Sequence, residues 1–146
     1  PNPRNVGDIA IPAALRTTTR NENFLLWDSG NDDPNRILMF GTVENLRLLQ
    51  QHRHWFVDGT FKVSPEIFYQ VFTIHGLIDN STFSLVYILL QHKREEINVR
   101  IFQKNLELQE HIRPSPVYYV TSKRQFKMLF HKYYPVFKRV DVYSIW

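Results

Sequence analysis

The chain contains no cysteine among its 146 residues. Disulfide bonds and thiolate zinc sites are therefore excluded within it, which is consistent with a reducing compartment. Long apolar runs are also lacking: the longest stretches, such as FSLVYILL, have about eight residues, far fewer than the roughly 20 that a membrane-spanning helix needs. We therefore expect no membrane partner.

The composition that remains is that of a folded domain. Apolar residues make up 43% of the chain, which is enough for one globular domain with a sizeable core. The chain begins with Pro1 rather than methionine, so it is compatible with an internal piece of a longer protein.

Charge is divided unevenly along the sequence. Residues 1–90 carry 7 Lys+Arg and 9 Asp+Glu, whereas residues 91–146 carry 11 Lys+Arg and 5 Asp+Glu. A basic region of this kind attracts phosphate groups without reading a base sequence. The alternative is that these charges are the solvated faces of two amphipathic helices.

The first third of the sequence predicts a lead-in and a small hairpin unit. Residues 1–23 are expected to be extended, and residues 24–53 to form a hairpin and a short helix that pack on the core. The hairpin strands are NFLLWDS and RILMFGT, joined by the turn-forming GNDDPN. Thr42 is the predicted N-cap of the helix VENLRLLQQ.

Residues 54–146 predict the core of the domain. Three apolar segments, HWFVDGTFKV, FYQVFTIHGLI and FSLVYILLQ, are typical of strands in a meander. Amphipathic helices are predicted at 93–113 and 122–134, and short strands at 116–120 and 137–145. Right-handed crossovers would place these last two strands beside the first core strand and parallel to it.

This order of elements resembles the ribonuclease H-like fold. The expected fold class is therefore α/β, with a mixed sheet of three antiparallel strands followed by two parallel crossover strands, preceded by the hairpin and short helix. Residues 54–146 would form a ribonuclease H-like core that is incomplete at its C-terminus, because its final helix is absent. In that fold, acids at the carboxyl ends of the first and fourth core strands lie side by side.

Asp58 is the residue that this comparison singles out. It follows the bulky apolar residues Trp55, Phe56 and Val57 and precedes Gly59. An acid at the end of a buried strand is either a metal ligand or a structural carboxylate bonded to nearby backbone N–H groups or to a hydroxyl.

Five sequence blocks resemble the transposase domain of Mutator-like elements. They are FLLWDSG, RILMFGTVENLRLL, HWFVDGTF, FYQVFTIHGLI and LVYILLQHKREE, in the order that this family has them. The resemblance implies cleavage and transfer of DNA strands by Mg²⁺ or Mn²⁺ ions held between carboxylates, with Asp58 as the first catalytic acid. It also implies a nuclear location.

The second acid of that family has no counterpart in the sequence. The family motif places it at Thr121 or Ser122, and no Asp or Glu occurs between His111 and Val140. Asp141, on the fifth core strand, could in principle approach the site, but its place in mid-strand argues against that. We therefore expect a catalytically inactive, transposase-derived domain that needs no cofactor; Mg²⁺ or Mn²⁺ at Asp58 would be required only if it were active.

Three functions stay open at this point. The first is binding of DNA or another nucleic acid by a basic surface made of Lys123, Arg124, Lys127, Lys132, Lys138 and Arg139. The second is a transposase-derived protein-interaction module, with a protein partner or a second copy of the chain covering an exposed sheet edge. The third is part of an active transposase that obtains its missing acids from elsewhere.

Overall fold

The computed structural model describes residues 3–52, 54–60, 67–92, 94–112, 118–122 and 138–144, the last two ranges through their backbone. Two 3-10 turns, Val6–Asp8 and Ala13–Leu15, precede the regular elements. Those elements are β1 (Leu25–Asp28), β2 (Leu38–Phe40), α1 (Val43–Gln51), β3 (His54–Thr60), β4 (Gln70–Ile78), β5 (Ser81–Leu90), α2 (Glu95–Ile112), β6 (Tyr118–Ser122) and β7 (Lys138–Ser144).

Five of the strands form one antiparallel sheet. Their order is β1-β2-β5-β4-β3, and every neighbouring pair in this series runs antiparallel. The predicted hairpin is present, and β2 pairs with β5, so the hairpin extends the same sheet. Beyond β3 the backbone continues into β7 and then β6, both parallel to β3.

The predicted ribonuclease H-like sheet is wrong. Five neighbouring strands form an all-antiparallel sheet on which two helices pack, whereas the ribonuclease H-like fold has three antiparallel strands. In addition, the strand beside β3 is β7, and β6 lies at the edge. The predicted fold needs the reverse order, because only then do the carboxyl ends of its first and fourth core strands lie side by side.

Local signals explain the elements that the sequence predicted well. The helix predicted from VENLRLLQQ is confirmed as α1, and the Thr42 hydroxyl caps it by accepting the backbone N–H of Asn45 at 3.1 Å. The β4–β5 turn consists of Asp79 and Asn80, both with positive φ, as a two-residue turn of the primed type requires. The helix predicted at 93–113 is found as α2, two residues shorter at the start.

The main core lies between the sheet and the two helices. Trp55, Val57, Ile74, Val86 and Ile88 belong to the face of the sheet that we call the helix face, and all five are buried. The helices contribute the apolar residues that pack on them, namely Leu46, Leu49, Ile97, Ile101, Phe102 and Leu106. This packing fixes which residues of each strand point away from the helices.

Two amides lie in the buried surface of α2. Asn105 and Gln109 are 0% and 3% exposed, and among the described residues neither the oxygen nor the nitrogen of either side-chain amide has a hydrogen-bond partner. Each buried amide group without a partner costs about 1–3 kcal/mol. Burial of α2 is therefore less favourable than its apolar residues alone would suggest.

The opposite face of the sheet is partly covered by residues 3–16, which we call the N-terminal strap. Val6, Ile9 and Ile11 of the strap pack on Leu38 and Phe68. We call this second face, which also includes Asp58, the strap face. The strap covers the side of this face that β1, β2 and β5 form. The remaining apolar residues of the cluster lie on those strands or just before β4: Leu25, Phe40, Leu89 and Ile67.

Arg36 fastens the strap to the hairpin. Its guanidinium donates to both carboxylate oxygens of Asp28, at 2.8 and 2.7 Å, and to the carbonyl oxygens of Val6 and Ile9, at 2.7 and 3.0 Å. The arginine side chain is 3% exposed. Its hydrogen bond lowers the pKa of Asp28, so the pair stays ionised at neutral pH.

A second ion pair joins the hairpin to α2. Arg100 donates to Asp33 at 2.6 Å, and the guanidinium of Arg100 and the ammonium of Lys104 lie 5.9 and 5.4 Å from the centre of the Trp27 ring. Both cations are within the range of cation–π attraction. The helix and the hairpin are thereby held in one unit.

Candidate functional site

Asp58 lies on the strap face, two residues before β3 ends. Its Cα partner on β4 is Thr73, and Thr73 in turn pairs with Tyr87 on β5. Asp58 is half-buried and Thr73 is 8% exposed. The carboxylate therefore belongs to a row of polar and aromatic residues that crosses three strands.

His75 is an ionisable residue whose titration Asp58 influences. Its Nδ1 atom lies 3.0 Å from the Ser84 hydroxyl, and its buried Nε2 atom has no hydrogen-bond partner within the described part of the chain. Burial lowers the pKa of His75, and the negative charge of Asp58 opposes part of that change. The imidazole is therefore neutral at neutral pH.

The structure does not bring Thr121 or Ser122 to Asp58. Thr121 pairs with Asp141, Ser122 pairs with Val142, and β7 separates both from β3. Two strand spacings amount to about 10 Å, and the offset of three or four residues along β3 adds about 10–13 Å in the perpendicular direction. The position that the family resemblance assigns to the second acid therefore carries no acid and lies far from Asp58 along the backbone.

Asp141 does not supply the missing acid either. Its Cα partner on β3 is His54, four residues before Asp58. Four residues of a strand span about 13 Å, whereas two catalytic metal ions lie about 4 Å apart. The strand register therefore places the backbone of Asp141 away from Asp58.

The described residues do not fit the pair of metal ions that the family resemblance implies. Among the residues whose placement is described, there is no group of three or more His, Cys, Asp or Glu side chains that would hold a metal ion. One half-buried carboxylate cannot offset the charge of two divalent ions. No step of a metal-dependent reaction follows from this arrangement.

The predicted basic residues are described only in part. Four of them lie outside the described residues: Lys123, Arg124, Lys127 and Lys132. The helix predicted at 122–134 also lies outside them, apart from Ser122. The backbone of Lys138 and Arg139 begins β7, and their Cα partners on β6 are Tyr118 and Tyr119.

Sequence reasoning missed the aromatic residues that share a face with Asp58. The strand register places Phe56 beside His75 and Tyr143, and it places Tyr119 beside Arg139. Alternation within each strand was visible in the sequence and groups Phe56 with Asp58. Strand pairing was not visible, so the residues of different strands could not be assigned to one face.

The chain matches no family model, and comparisons with curated proteins and with solved structures give no match either. Within the described residues, neither α1 nor α2 is long and apolar enough to cross a membrane. The functional conclusion therefore depends on the residues of this chain alone.

Proposed function

We propose that the protein binds nucleic acid with the basic C-terminal part of its chain. The observation that carries this proposal is the charge division, with 11 Lys+Arg against 5 Asp+Glu in residues 91–146. Neutralising phosphates releases condensed counterions from the nucleic acid, so a cluster of cations binds it with a favourable free energy in low salt. The proposed contacts are Lys123, Arg124, Lys127, Lys132, Lys138 and Arg139.

Binding is a better proposal than strand cleavage. Cleavage by two metal ions needs converging carboxylates, and Asp58 has no second acid at Thr121, Ser122 or Asp141 within reach. Nucleic acid is also the partner implied by the sequence blocks that resemble Mutator-like transposases. Descent from such a transposase and a nuclear location remain proposals that rest on those blocks, and the strand order does not support them.

Fluorescence anisotropy with a short labelled DNA duplex tests the proposal. Affinity is expected to fall steeply with salt, because each neutralised phosphate contributes about 0.9 to the slope of log affinity against log salt. Replacing Lys123, Arg124 and Lys127 together by glutamate should weaken binding about tenfold or more.

The matched control makes three cation-to-glutamate replacements in the N-terminal part of the chain. Arg4, Arg20 and Arg47 are exposed in the N-terminal part of the chain, and replacing all three by glutamate alters the net charge equally. This control should retain most of the binding. Equal losses in the two triple variants, or an affinity that does not depend on salt, would refute a localised basic site.

A further inference from the structure

The N-terminal strap is held in place by contacts with the sheet rather than by structure of its own. Apart from the two 3-10 turns, its residues, all of which the structure describes, form no helix or strand, and Val6 and Ile11 are its two buried side chains. The surface that receives them, which we call the seat, includes the guanidinium of Arg36. The apolar residues of the seat are Leu25, Leu38, Phe40, Ile67, Phe68 and Leu89. Strap and seat are therefore two complementary surfaces carried by one chain.

The backbone of the strap is fitted to its surroundings as closely as its side chains are. Arg36 donates to the carbonyl oxygens of Val6 and Ile9 at 2.7 and 3.0 Å. A Cβ atom placed on Gly7 would lie 2.9 Å from the carbonyl oxygen of Asn31, so the strap approaches the β1–β2 turn more closely than any side chain at this position would allow. The seat therefore fits the sequence of this strap in particular.

Residues 17–23, which we call the hinge, join the strap to the segment that leads into β1. The hinge folds back on itself: Thr17 pairs with Asn23, and the backbone N–H of Thr18 donates to the carbonyl oxygen of Glu22 at 2.8 Å. All seven residues are polar, and all are exposed except Thr18, which is half-buried. Straightening the hinge therefore exchanges a few accessible hydrogen bonds for bonds to water and uncovers no apolar side chain of its own.

Asn21 is the hinge residue whose backbone conformation depends on the folded-back form. Its φ is 63°, in the left-handed region, and its backbone N–H donates to the carbonyl oxygen of Thr18 at 2.9 Å. Asparagine tolerates this conformation and glycine adopts it freely, whereas a β-branched residue is strongly disfavoured in it. A substitution at this exposed position thus shifts the balance between a folded and a straight hinge without altering the strap or the seat.

We propose that two copies of the chain exchange their N-terminal straps, so that the strap of each copy lies in the seat of the other. A straight hinge of seven residues spans about 23 Å, which allows a strap to leave its own seat and enter that of a copy related by a twofold axis. Every strap–seat contact of the single chain then forms again between the copies, because the surfaces are the same. This exchange does not depend on the proposed nucleic-acid binding.

The occupant of the seat is a second copy because the seat is already matched to the apolar side chains and backbone of the strap. Within one chain a strap on a short linker meets its own seat at an effective concentration in roughly the millimolar range. Exchange therefore competes as the protein concentration approaches that range. Any change that straightens the hinge lowers the concentration that exchange needs.

Sedimentation equilibrium of the full chain and of two hinge variants tests the exchange. The parent should form more dimer as its concentration approaches the millimolar range. Asn21→Val should lower the dissociation constant of the dimer at least about tenfold, because valine destabilises the folded-back hinge. Asn21→Gly, the matched control, should dimerise no more than the parent. Equal dissociation constants for the valine and glycine variants, or no dimer of the valine variant, would overturn the inference.

A mixture of two defective chains distinguishes strap exchange from any other kind of dimer. One chain carries Val6→Asp and Ile11→Asp, so its seat is intact but its strap does not dock. The other carries Arg36→Ala, so its strap is intact but its seat is weakened. The intact strap should fill the intact seat: native mass spectrometry should detect the mixed dimer, and binding of a dye that reports exposed apolar surface should fall below the average of the separate chains.

The control mixture replaces the first chain by one with Ala10→Asp and Leu15→Asp, which adds the same charge at exposed positions of the strap. Its own strap fills its seat, so dye binding should stay at the average of the two chains. Average dye binding and no mixed dimer with the defective pair would overturn the exchange and leave the proposed function standing. The hinge variants decide the question even if Arg36→Ala does not fold, because they leave strap and seat unaltered.

Discussion

His75 shows how one half-buried side chain can make stability depend on pH. Its Nδ1 atom is hydrogen-bonded to the Ser84 hydroxyl, and its buried Nε2 atom has no partner among the residues that the structure describes. A proton added to the ring would therefore be desolvated and poorly hydrogen-bonded. Burial accordingly lowers the pKa of His75, while Asp58 opposes this effect. Because the unfolded chain binds the proton more readily, acid favours unfolding.

The expected result is a loss of folding stability that begins as the pH falls through the ordinary histidine pKa of about 6.5. The loss should stop growing once the pH is below the lowered pKa of His75 in the folded state. Urea denaturation of the parent and of His75→Gln at neutral and mildly acidic pH measures it, and the variant should lose less stability. His92→Gln, at an exposed position, is the control and should behave like the parent.

Asp58 and Ser84 show what could be predicted of the site from single residues. The position of Asp58 near the end of an apolar strand is readable from the sequence, and the structure places it there. Ser84 was not predictable, because simple alternation from Val86 assigns it to the helix face. The register shift between Ile74 and His75 makes His75 pair with Ser84 and moves that serine to the strap face.

At the scale of elements, Arg36 joins three separate parts of the chain. It binds Asp28 at the end of β1 and the carbonyl oxygens of Val6 and Ile9 in the N-terminal strap. Its side chain is buried, and removing it takes the guanidinium donor away from both carbonyl groups and from the carboxylate, which keeps only the backbone N–H of Gly30 among the described donors. The strap has no strand or α-helix of its own and depends on such contacts.

Arg36→Ala should lower the free energy of unfolding by about 3 kcal/mol, since it removes a buried guanidinium that donates four hydrogen bonds and pairs with Asp28. Arg47→Ala removes an arginine from an exposed pair with Glu44 and should change stability by less than about 1 kcal/mol. Urea denaturation of both variants measures the difference. Similar losses in the two variants would show that Arg36 does not hold the strap.

The elements also mark where sequence reasoning stops. Caps, turns and apolar spacing are local, so α1, the β4–β5 turn and most strand positions could be predicted. The order of β6 and β7 depends on the path of the chain between them, and either order satisfies the same alternation of residues. Two long-range pairings overturned the predicted fold although nearly every described strand was anticipated: the hairpin extends the antiparallel sheet to five strands, and β7 rather than β6 lies beside β3.

At the scale of the whole molecule, the sheet is covered differently on its two faces. The helix face is packed by α1 and α2, whereas the strap face is packed at one side by a segment without strands or α-helices. Leu38 and Phe68 beneath the strap are 2% and 5% exposed. Loss of the strap would therefore uncover apolar surface without removing a strand from the sheet.

The double substitution Val6→Asp and Ile11→Asp should detach the strap, because it places two charges at buried positions. Binding of a dye that reports exposed apolar surface should rise, while the far-ultraviolet circular dichroism should stay close to that of the parent. Ala10→Asp with Leu15→Asp adds the same charge at exposed positions and should leave dye binding unchanged. Equal dye binding in both variants would contradict the role of the strap.

The two amides buried in α2 have a consequence for how the molecule opens. Asn105 and Gln109 gain hydrogen bonds to water whenever the helix lifts from the sheet, so lifting recovers part of the free energy that its apolar residues lose. Local opening of α2 thus requires less free energy than global unfolding. Its backbone amides should exchange with solvent deuterium through that partial opening, earlier than those of the central strands β4 and β5.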